Sequence, residues 1–461
     1  MKELIENQYL QLILIIITLC PVVALFFKLA INGYKSYINR SVMKIQSNYY
    51  KELDSEQYIL WRDAQLKKIY GEEYFTNVFG ITYPTFVIYF ADNYKEYDFT
   101  QLYSKEDIST EGYKIEDGEI VFPPFEKTEI MTSGTQKEIV LKRNLLKQYK
   151  KILTGSIKYP KLAGFSLDHY DIENDRITHI YPKLGTYEYN VYSSHILEFE
   201  LFKAYKHLSG AFDIHVESLW EHLPFRHYIH YGEGTDNQVK DVLFTGIRRF
   251  SLFSVQCIVV FMDYNTKEFK TLLMKRSTDP SRVSSKLGYY QLLPAGGFEL
   301  YEKELIHSVE MIKENYSLRK AIFREYLEEV FNDEDFKGIN SSTNSQTTDK
   351  ILNHEKVIKI LDLIEKKKAG FELLGVGVDL VSLRHEISFV LKIDDVSFSR
   401  EDFCPNDEFT REKSLAPKVR ASLNEVERLL NGGDKKLGAP PKFDQASAIL
   451  YYMFYNSPLY P

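Results

Sequence analysis

Cysteine and tryptophan are scarce in this chain of 461 residues, which contains 3 cysteines and 2 tryptophans. The cysteines at 20, 257 and 404 lack the spacing of a metal site; their scarcity argues against a disulfide scaffold and suits a reducing compartment. Positive charge is not in excess either, since the net charge is −7. Because the chain is mildly acidic overall, its net charge does not indicate nucleic-acid binding, and duplex nucleic acid is not expected as a partner. Internal repeats are also missing.

Long hydrophobic runs are rare, with one exception at the N-terminus. Residues 7–27 carry no charge, and with residues 29–31 the segment reaches the length of about twenty residues that spans a bilayer. Pro21 would kink such a helix without preventing insertion. A cleaved signal peptide fits poorly because residues 1–6 are not positive and no cleavage site follows. A buried helix of a soluble protein is the alternative, and we predict a transmembrane anchor over residues 1–35.

The charges beside this segment predict its orientation. Basic residues follow it without an acidic residue before Glu52: Lys28, Lys35, Arg40, Lys44 and Lys51. Under the positive-inside rule the N-terminus lies outside and the rest of the chain in the cytoplasm. The expected location is the cell inner membrane, crossed once, with the lipid bilayer as a partner.

The remaining chain divides by composition into three parts. Residues 36–70 predict a helical stalk, residues 71–240 an α/β middle domain of unknown role, and residues 241–461 a further α/β domain. In the middle part, residues 81–90 read as two strands broken at Pro84, and residues 195–207 as a helix whose histidines we interpret as structural.

Two short segments carry the chemistry. The first is Pro294-Ala295-Gly296-Gly297-Phe298-Glu299, and the second is Arg324-Glu325-Tyr326-Leu327-Glu328-Glu329. On a helix the three glutamates share one face, where they repel one another unless a cation binds them. Mg²⁺ prefers such oxygen ligands, and the adjacent arginine could brace a carboxylate. The glycine pair allows close backbone approach. Taken alone, the glutamates would also fit an ordinary exposed helix face.

This combination resembles the Nudix box, the signature of metal-dependent hydrolases of nucleoside diphosphate derivatives. Flanking segments agree with that family: strand-like runs at residues 254–262, 271–276, 374–381 and 386–393, and a closing helix at 445–454. The resemblance implies a C-terminal Nudix α/β/α sandwich. The expected fold class is thus α/β, with an N-terminal transmembrane helix, an α/β middle domain and this sandwich.

The chain also departs from the family pattern. The separation between Gly297 and Arg324 is much longer than in the family, and the position of the isolated upstream glutamate is taken by Tyr316. Glu302 and Glu314 lie nearby but out of register. Phe331 stands where a glycine normally follows the paired glutamates. The metal-binding helix is therefore retained, while the loop before it has been rebuilt.

The resemblance implies two functions. As a pyrophosphohydrolase, the protein would bind Mg²⁺ or Mn²⁺ through Glu325, Glu328 and Glu329, with Glu328, Glu329 and Arg324 as catalytic residues. Gly296, Gly297, Lys275 and Arg276 would contact the nucleotide, although the two basic residues also fit an exposed strand end. Glu386 is an additional candidate for a metal ligand or base.

The second function is nucleotide sensing. A membrane segment joined to a Nudix-like domain resembles effectors of bacterial anti-phage systems that signal by cyclic oligonucleotides. Ligand binding would then drive homo-oligomer formation. The rebuilt loop and the missing upstream glutamate favour sensing, whereas the retained glutamates keep hydrolysis as the alternative.

Overall fold

A computed structural model describes most of the chain. The described residues are 46–91, 102–110, 113–116, 119–153, 163–277, 286, 288–300, 309–333, 347–401, 403–404, 420–432 and 442–461.

Strands from the whole described chain build three sheets. In chain order they are β1 (Thr76–Val78), β2 (Ile81–Tyr83), β3 (Thr85–Phe90), β4 (Lys114–Glu116), β5 (Glu119–Val121), β6 (Ala163–Glu173), β7 (Arg176–Thr186), β8 (Ser254–Met262), β9 (Phe269–Lys275), β10 (Tyr290–Leu292), β11 (Ala295–Gly297), β12 (Glu299–Leu300), β13 (Ala369–Asp379), β14 (His385–Ile393) and β15 (Arg420–Ser422). The pairs β1–β2 and β4–β5 form small separate sheets.

The large sheet contains eleven of the described strands, in the order β10-β9-β8-β14-β13-β3-β7-β6-β12, with β11 on β8 and β15 on β9. It is mixed. β14 runs parallel to β8, with Glu386 opposite Ser254, and antiparallel to β13. β13 pairs on its other edge with β3, and β3 continues to β7. Hydrogen-bonded strands therefore connect residues from both halves of the chain.

Helices cover this sheet on both faces. They are α1 (Glu56–Tyr70), α2 (Glu129–Thr132), α3 (Gln136–Ile152), α4 (Tyr187–Asn190), α5 (Ile196–His207), α6 (Val216–Trp220), α7 (Pro224–Tyr231), α8 (Val239–Phe244), α9 (Val309–Glu314), α10 (Leu318–Glu325), α11 (Thr347–Asn353), α12 (Glu355–Glu365), α13 (Leu423–Leu430) and α14 (Gln445–Tyr455). Residues 46–53 are also helical.

The burial of β8 shows why two layers of helices are needed. Val255, Cys257 and Val259 join the larger core, while Ile258 and Val260 join a second core with α13 and α14. Since successive side chains of a strand point to opposite faces, a continuous apolar run must be covered on both sides.

The elements predicted around the glutamate motif are confirmed, with small shifts of their ends. Residues 254–262 form β8, residues 374–381 and 386–393 overlap β13 and β14, and residues 445–454 lie in α14. The break at Pro84 separates β2 from β3, as the sequence predicts.

The predicted fold class is wrong. Instead of a separate middle domain and a C-terminal sandwich, the described residues form a mixed α/β fold around one large mixed sheet. Two strands of the N-terminal half, β3 and β6, pair with β13 and β12 of the C-terminal half, and local patterns do not reveal such distant partners. Over the described ranges, no helix combines the length and apolar character needed to cross a membrane. The segment predicted to span, residues 7–31, lies outside the described residues.

Candidate functional site

A cavity of about 370 Å³ lies where the parallel strands β8 and β14 begin. Its volume is within the range of small-molecule sites. Both halves of the chain supply lining residues: Tyr187, Asn190, His195, Leu252, Phe253, Ser254, Gln256, Arg276, Lys286, Gln291, Ala295, Gly296, Gly297, Glu325, Glu328, Glu329, Arg384, Glu386, Asp444 and Ala446.

The three glutamates of the motif reach this cavity from one helical segment. α10 begins after Ser317, whose hydroxyl accepts a hydrogen bond from the Lys320 amide. The helix continues into a π-helical turn over Tyr326–Val330. Glu325 and Glu329 are buried, and the Glu328 side chain is 24% exposed. The structure thus brings the three predicted metal ligands together, and a π-turn in a helix is often found at functional sites.

The glycine loop packs directly against these carboxylates. β11 pairs with β8, with Gly296 opposite Val255. The Ala295 amide donates a hydrogen bond of 2.8 Å to Oε2 of Glu329. A Cβ at Gly296 would lie 2.1 Å from the Glu325 carboxyl group. The close approach expected of the glycine pair therefore occurs, with a glutamate of the same motif as the neighbour.

Arg324 does not line the cavity but holds two of its carboxylates. Its Nη2 atom donates to the carbonyl oxygen of Gly297 at 2.8 Å and to Oε1 of Glu325, and its Nη1 atom lies 3.5 Å from Glu328 Oε2. The side chain is only 9% exposed. Hydrogen bonds to ionised groups in such surroundings are among the stronger ones. The bracing expected for this arginine is therefore observed, and a catalytic role for it stays a prediction.

The two basic residues predicted to contact the nucleotide lie in different environments. Arg276 lines the cavity, and its Nη1 atom donates to Gln291 Oε1 at 2.9 Å. Lys275 is exposed at the end of β9, with its Nζ atom 5.8 Å from the centre of the Tyr290 ring. Of the two, the structure brings only Arg276 to the site.

Two further cations, not predicted from the sequence, line the cavity. Lys286 forms an ion pair with the buried Asp444, which lowers the pKa of that carboxyl group against the opposing effect of burial. Arg384 donates through Nη2 to Ser254 Oγ and to Glu386 Oε1. No local motif marks either cation; only the folded chain places them here.

The N-terminal half adds a group of uncharged side chains. Tyr187 and Asn190 come from α4, and His195 ends a second π-helical turn, Val191–His195. Burial, reinforced by the Arg384 charge, lowers the pKa of His195 to about 3, so the ring is neutral at physiological pH. The sequence predicts a structural histidine here, and no local signal indicates its position at the cavity wall.

The departures from the family pattern also have structural counterparts. Tyr316 is buried, with its ring 5.0 Å from that of Phe298 and 4.9 Å from that of Phe165. Glu314 lies 3.7 Å from Lys105 in an exposed pair, and Glu302 lies outside the described residues. Glu314, the upstream candidate that the structure describes, is not among the lining residues of the cavity.

The cavity contains side chains of the type that hard divalent cations prefer. Glu325, Glu328, Glu329 and Glu386 present carboxylate oxygens, the ligands that Mg²⁺ and Mn²⁺ prefer. In the side-chain positions that the structure describes, no group of three or more His, Cys, Asp or Glu residues is arranged to hold a metal. Metal binding at this site remains a prediction.

No protein-family model matches the chain, and no curated protein sequence matches it significantly.

Proposed function

We propose that this protein binds a nucleotide through its phosphate chain and a divalent cation in the cavity, and that binding rather than turnover is its task. The observation that carries the proposal is the convergence of Glu325, Glu328 and Glu329 with Gly296–Gly297 on one cavity that is also lined by cations.

The balance of charge explains why a cation belongs in this proposal. Among the lining residues, five carboxylates (Glu325, Glu328, Glu329, Glu386 and Asp444) meet three cations (Arg276, Lys286 and Arg384). A bare phosphate anion would be repelled by the excess of negative charge. A divalent cation bound to the carboxylates reverses that repulsion locally, while the arginines and the lysine can pair with phosphate oxygens.

Two observations favour binding over hydrolysis. The upstream position of the motif holds Tyr316, whose burial between aromatic rings leaves no carboxylate there. The cavity also receives Tyr187, Asn190 and His195 from the other half of the chain. A ligand there would touch both halves of the chain, which suits a protein that responds to a nucleotide signal, such as a cyclic oligonucleotide.

The second candidate is a metal-dependent pyrophosphohydrolase. It is favoured by Glu386, which adds a carboxylate from β14 to those of the helix. In that reaction water attacks a phosphorus atom, the anhydride P–O bond breaks, and a carboxylate takes the proton of the water. A bound metal would polarise the phosphate oxygens. The same glutamates would serve both functions, so an experiment must separate them.

The test uses the full chain with ADP-ribose, diadenosine tetraphosphate, cyclic di-AMP and cyclic tri-AMP, each with Mg²⁺ and with EDTA. Thermal stability, product release and oligomeric state by light scattering are recorded. Glu328→Gln is compared with Glu365→Gln, a matched change on the exposed end of α12.

A ligand-specific, Mg²⁺-dependent stabilisation without product, weakened at least tenfold in affinity by Glu328→Gln alone, supports the proposal. Metal-dependent product release that Glu328→Gln abolishes establishes the hydrolase instead. Failure of every probe to bind the wild type contradicts both.

A further inference from the structure

The lining of the cavity separates into groups of different chemistry. Its carboxylates are Glu325, Glu328 and Glu329 from α10 and its π-turn, Glu386 from β14, and Asp444 just before α14. Its cations are Arg276 just after β9, Lys286, and Arg384 just before β14. The lining residues from Tyr187–His195 are Tyr187, Asn190 and His195, and none of them carries a charge at physiological pH. Charged groups suit phosphates, whereas aromatic and neutral hydrogen-bonding groups suit a nucleobase.

We infer that the segment Tyr187–His195 recognises the base of the nucleotide, with the Tyr187 ring as its stacking surface. This inference rests on the proposed function and adds the part of the ligand that the glutamate motif does not address. It assigns a specificity-determining role to the N-terminal half of the chain.

The segment is held in place before any ligand arrives. Thr186 accepts a hydrogen bond from the Tyr189 amide at the start of α4. Ser193 Oγ donates to the Phe250 carbonyl at 2.7 Å and accepts from the Phe250 amide at 2.9 Å. Ser194 Oγ donates to the Ser382 carbonyl at 2.7 Å. Because these hydrogen bonds fix the segment Tyr187–His195 in advance, it loses little conformational entropy when a ligand binds, which favours selective recognition.

Asn190 and His195 have defined hydrogen-bonding roles. Asn190 Oδ1 accepts from the Leu252 amide at 3.1 Å, so its Nδ2 group faces His195 Nε2 at 3.3 Å. Arg384 Nη1 lies 3.4 Å from the same Nε2 atom. Since both neighbours are donors, Nε2 accepts and the proton of the neutral ring lies on Nδ1. His195 is therefore a neutral polar group at the cavity wall, whereas a residue that binds a phosphate group would carry a positive charge.

Tyr187 is the residue to change. Stacking of one base on an aromatic side chain corresponds to roughly a five- to hundredfold change in affinity. Tyr187→Leu removes the ring but retains an apolar side chain, and Tyr187→Phe retains the ring without the hydroxyl group. Tyr264→Leu, at an exposed tyrosine between β8 and β9, is the matched control.

The experiment measures Mg²⁺-dependent binding of ADP-ribose, cyclic di-AMP and inorganic tripolyphosphate to the full chain by calorimetry. We expect Tyr187→Leu to weaken the better-binding nucleotide at least fivefold while tripolyphosphate affinity changes less than twofold. Tyr187→Phe and Tyr264→Leu should stay within threefold of the wild type. Circular dichroism checks that each variant is folded.

The outcomes separate this inference from the proposed function. If Tyr187→Leu weakens tripolyphosphate as much as the nucleotide, or weakens neither, base recognition by this segment is overturned while phosphate binding stands. If Tyr187→Leu does not fold, the wild type and Tyr187→Phe provide the test. The wild type must then bind the nucleotide at least fivefold more tightly than tripolyphosphate, and Tyr187→Phe must retain that preference. Loss of either result overturns the inference. If the wild type binds neither probe, the proposed function fails and this inference with it.

Discussion

At the scale of single residues, the candidate site depends on how closely Gly296 approaches Glu325. The space for a Cβ at Gly296 is already occupied by the glutamate carboxyl group, at 2.1 Å. That carboxyl group cannot simply turn away, because Arg324 donates a hydrogen bond to it and also to the Gly297 carbonyl. The glycine, the arginine and the glutamate therefore act as one packed unit beneath the cavity.

Gly296→Ala tests this packing. We expect the added methyl group to displace Glu325 and to lower the free energy of unfolding by about 1–3 kcal/mol. Mg²⁺-dependent nucleotide affinity should fall at least tenfold. Gly370→Ala is the matched control, since a Cβ there meets nothing within 4 Å. Urea unfolding and calorimetric titration measure the two effects, and equal behaviour of both variants would contradict the tight approach.

Arg324→Met tests the brace. Removing the guanidinium group leaves the buried Glu325 carboxylate without its charged partner, which should lower the free energy of unfolding by roughly 3 kcal/mol. The double variant Arg324→Met with Glu325→Gln removes the unpaired charge and should recover part of that loss. Urea denaturation of the single and double variants gives the comparison. Purely additive losses would show that the two side chains are not coupled.

At the scale of elements, α7 connects the N-terminal half to the turn that carries Arg384. The helix begins at Pro224 without a side-chain cap from Leu223; instead, the Glu200 carboxylate accepts from the amides of Phe225 and Arg226. The Arg226 guanidinium donates to the carbonyl groups of Leu380 and Val381, in the turn between β13 and β14. This helix thus holds the turn that leads into the cavity wall.

The Glu200 cap predicts a pH dependence of stability. Burial raises the pKa of Glu200 from 4.5 to about 7, although the Arg226 and Lys142 charges partly oppose the shift. The native state therefore holds this proton more tightly than the unfolded state. Its contribution to stability is complete below about pH 4.5 and is lost as the pH rises through 7, at a maximum slope of about 1.4 kcal/mol per pH unit.

Glu200→Gln removes this titration while keeping an oxygen that can accept from a backbone amide. The variant should gain stability relative to the wild type between pH 5 and pH 7, by roughly 2 kcal/mol. Urea unfolding at several pH values provides the measurement, with the exposed Glu365→Gln as control. Parallel curves for wild type and Glu200→Gln would rule out the raised pKa.

At the scale of the whole molecule, the large sheet crosses the domain boundary that the sequence predicts at residue 241. β13 pairs with β14 on one edge and with β3 on the other, and β12 pairs with β6. Separating the chain at this point would expose the unpaired edge of β13 and the apolar faces packed beside it, since Val376 and Val378 are fully buried.

The fragment 241–461 is therefore expected to lack a cooperative unfolding transition when produced alone. Co-expression with residues 1–240 should restore the transition, because the missing strands return. Circular dichroism during urea unfolding compares the fragment, the pair and the full chain. A fragment that unfolds at the midpoint of the full chain would show instead that the predicted boundary separates independent domains.

The amino-acid sequence alone determined the local elements of the candidate site. The apolar runs at 254–262 and 386–393 predict β8 and β14 because buried strands need continuous hydrophobic residues. The spacing of Glu325, Glu328 and Glu329 predicts a shared helical face, and the glycine pair predicts a close backbone approach. Each of these predictions depends on neighbours within a few residues, and local patterns contain that information.

Only the tertiary structure decided which distant residues complete the site. Tyr187, Asn190 and His195 belong to the other half of the chain, and Lys286 and Arg384 stand in segments without a motif. The first three reach the cavity because β3, β6 and β7 join the sheet built by the later strands. A local apolar run shows that a strand is buried, but it does not show which distant strand will lie beside it, because that choice depends on packing between segments far apart in the chain.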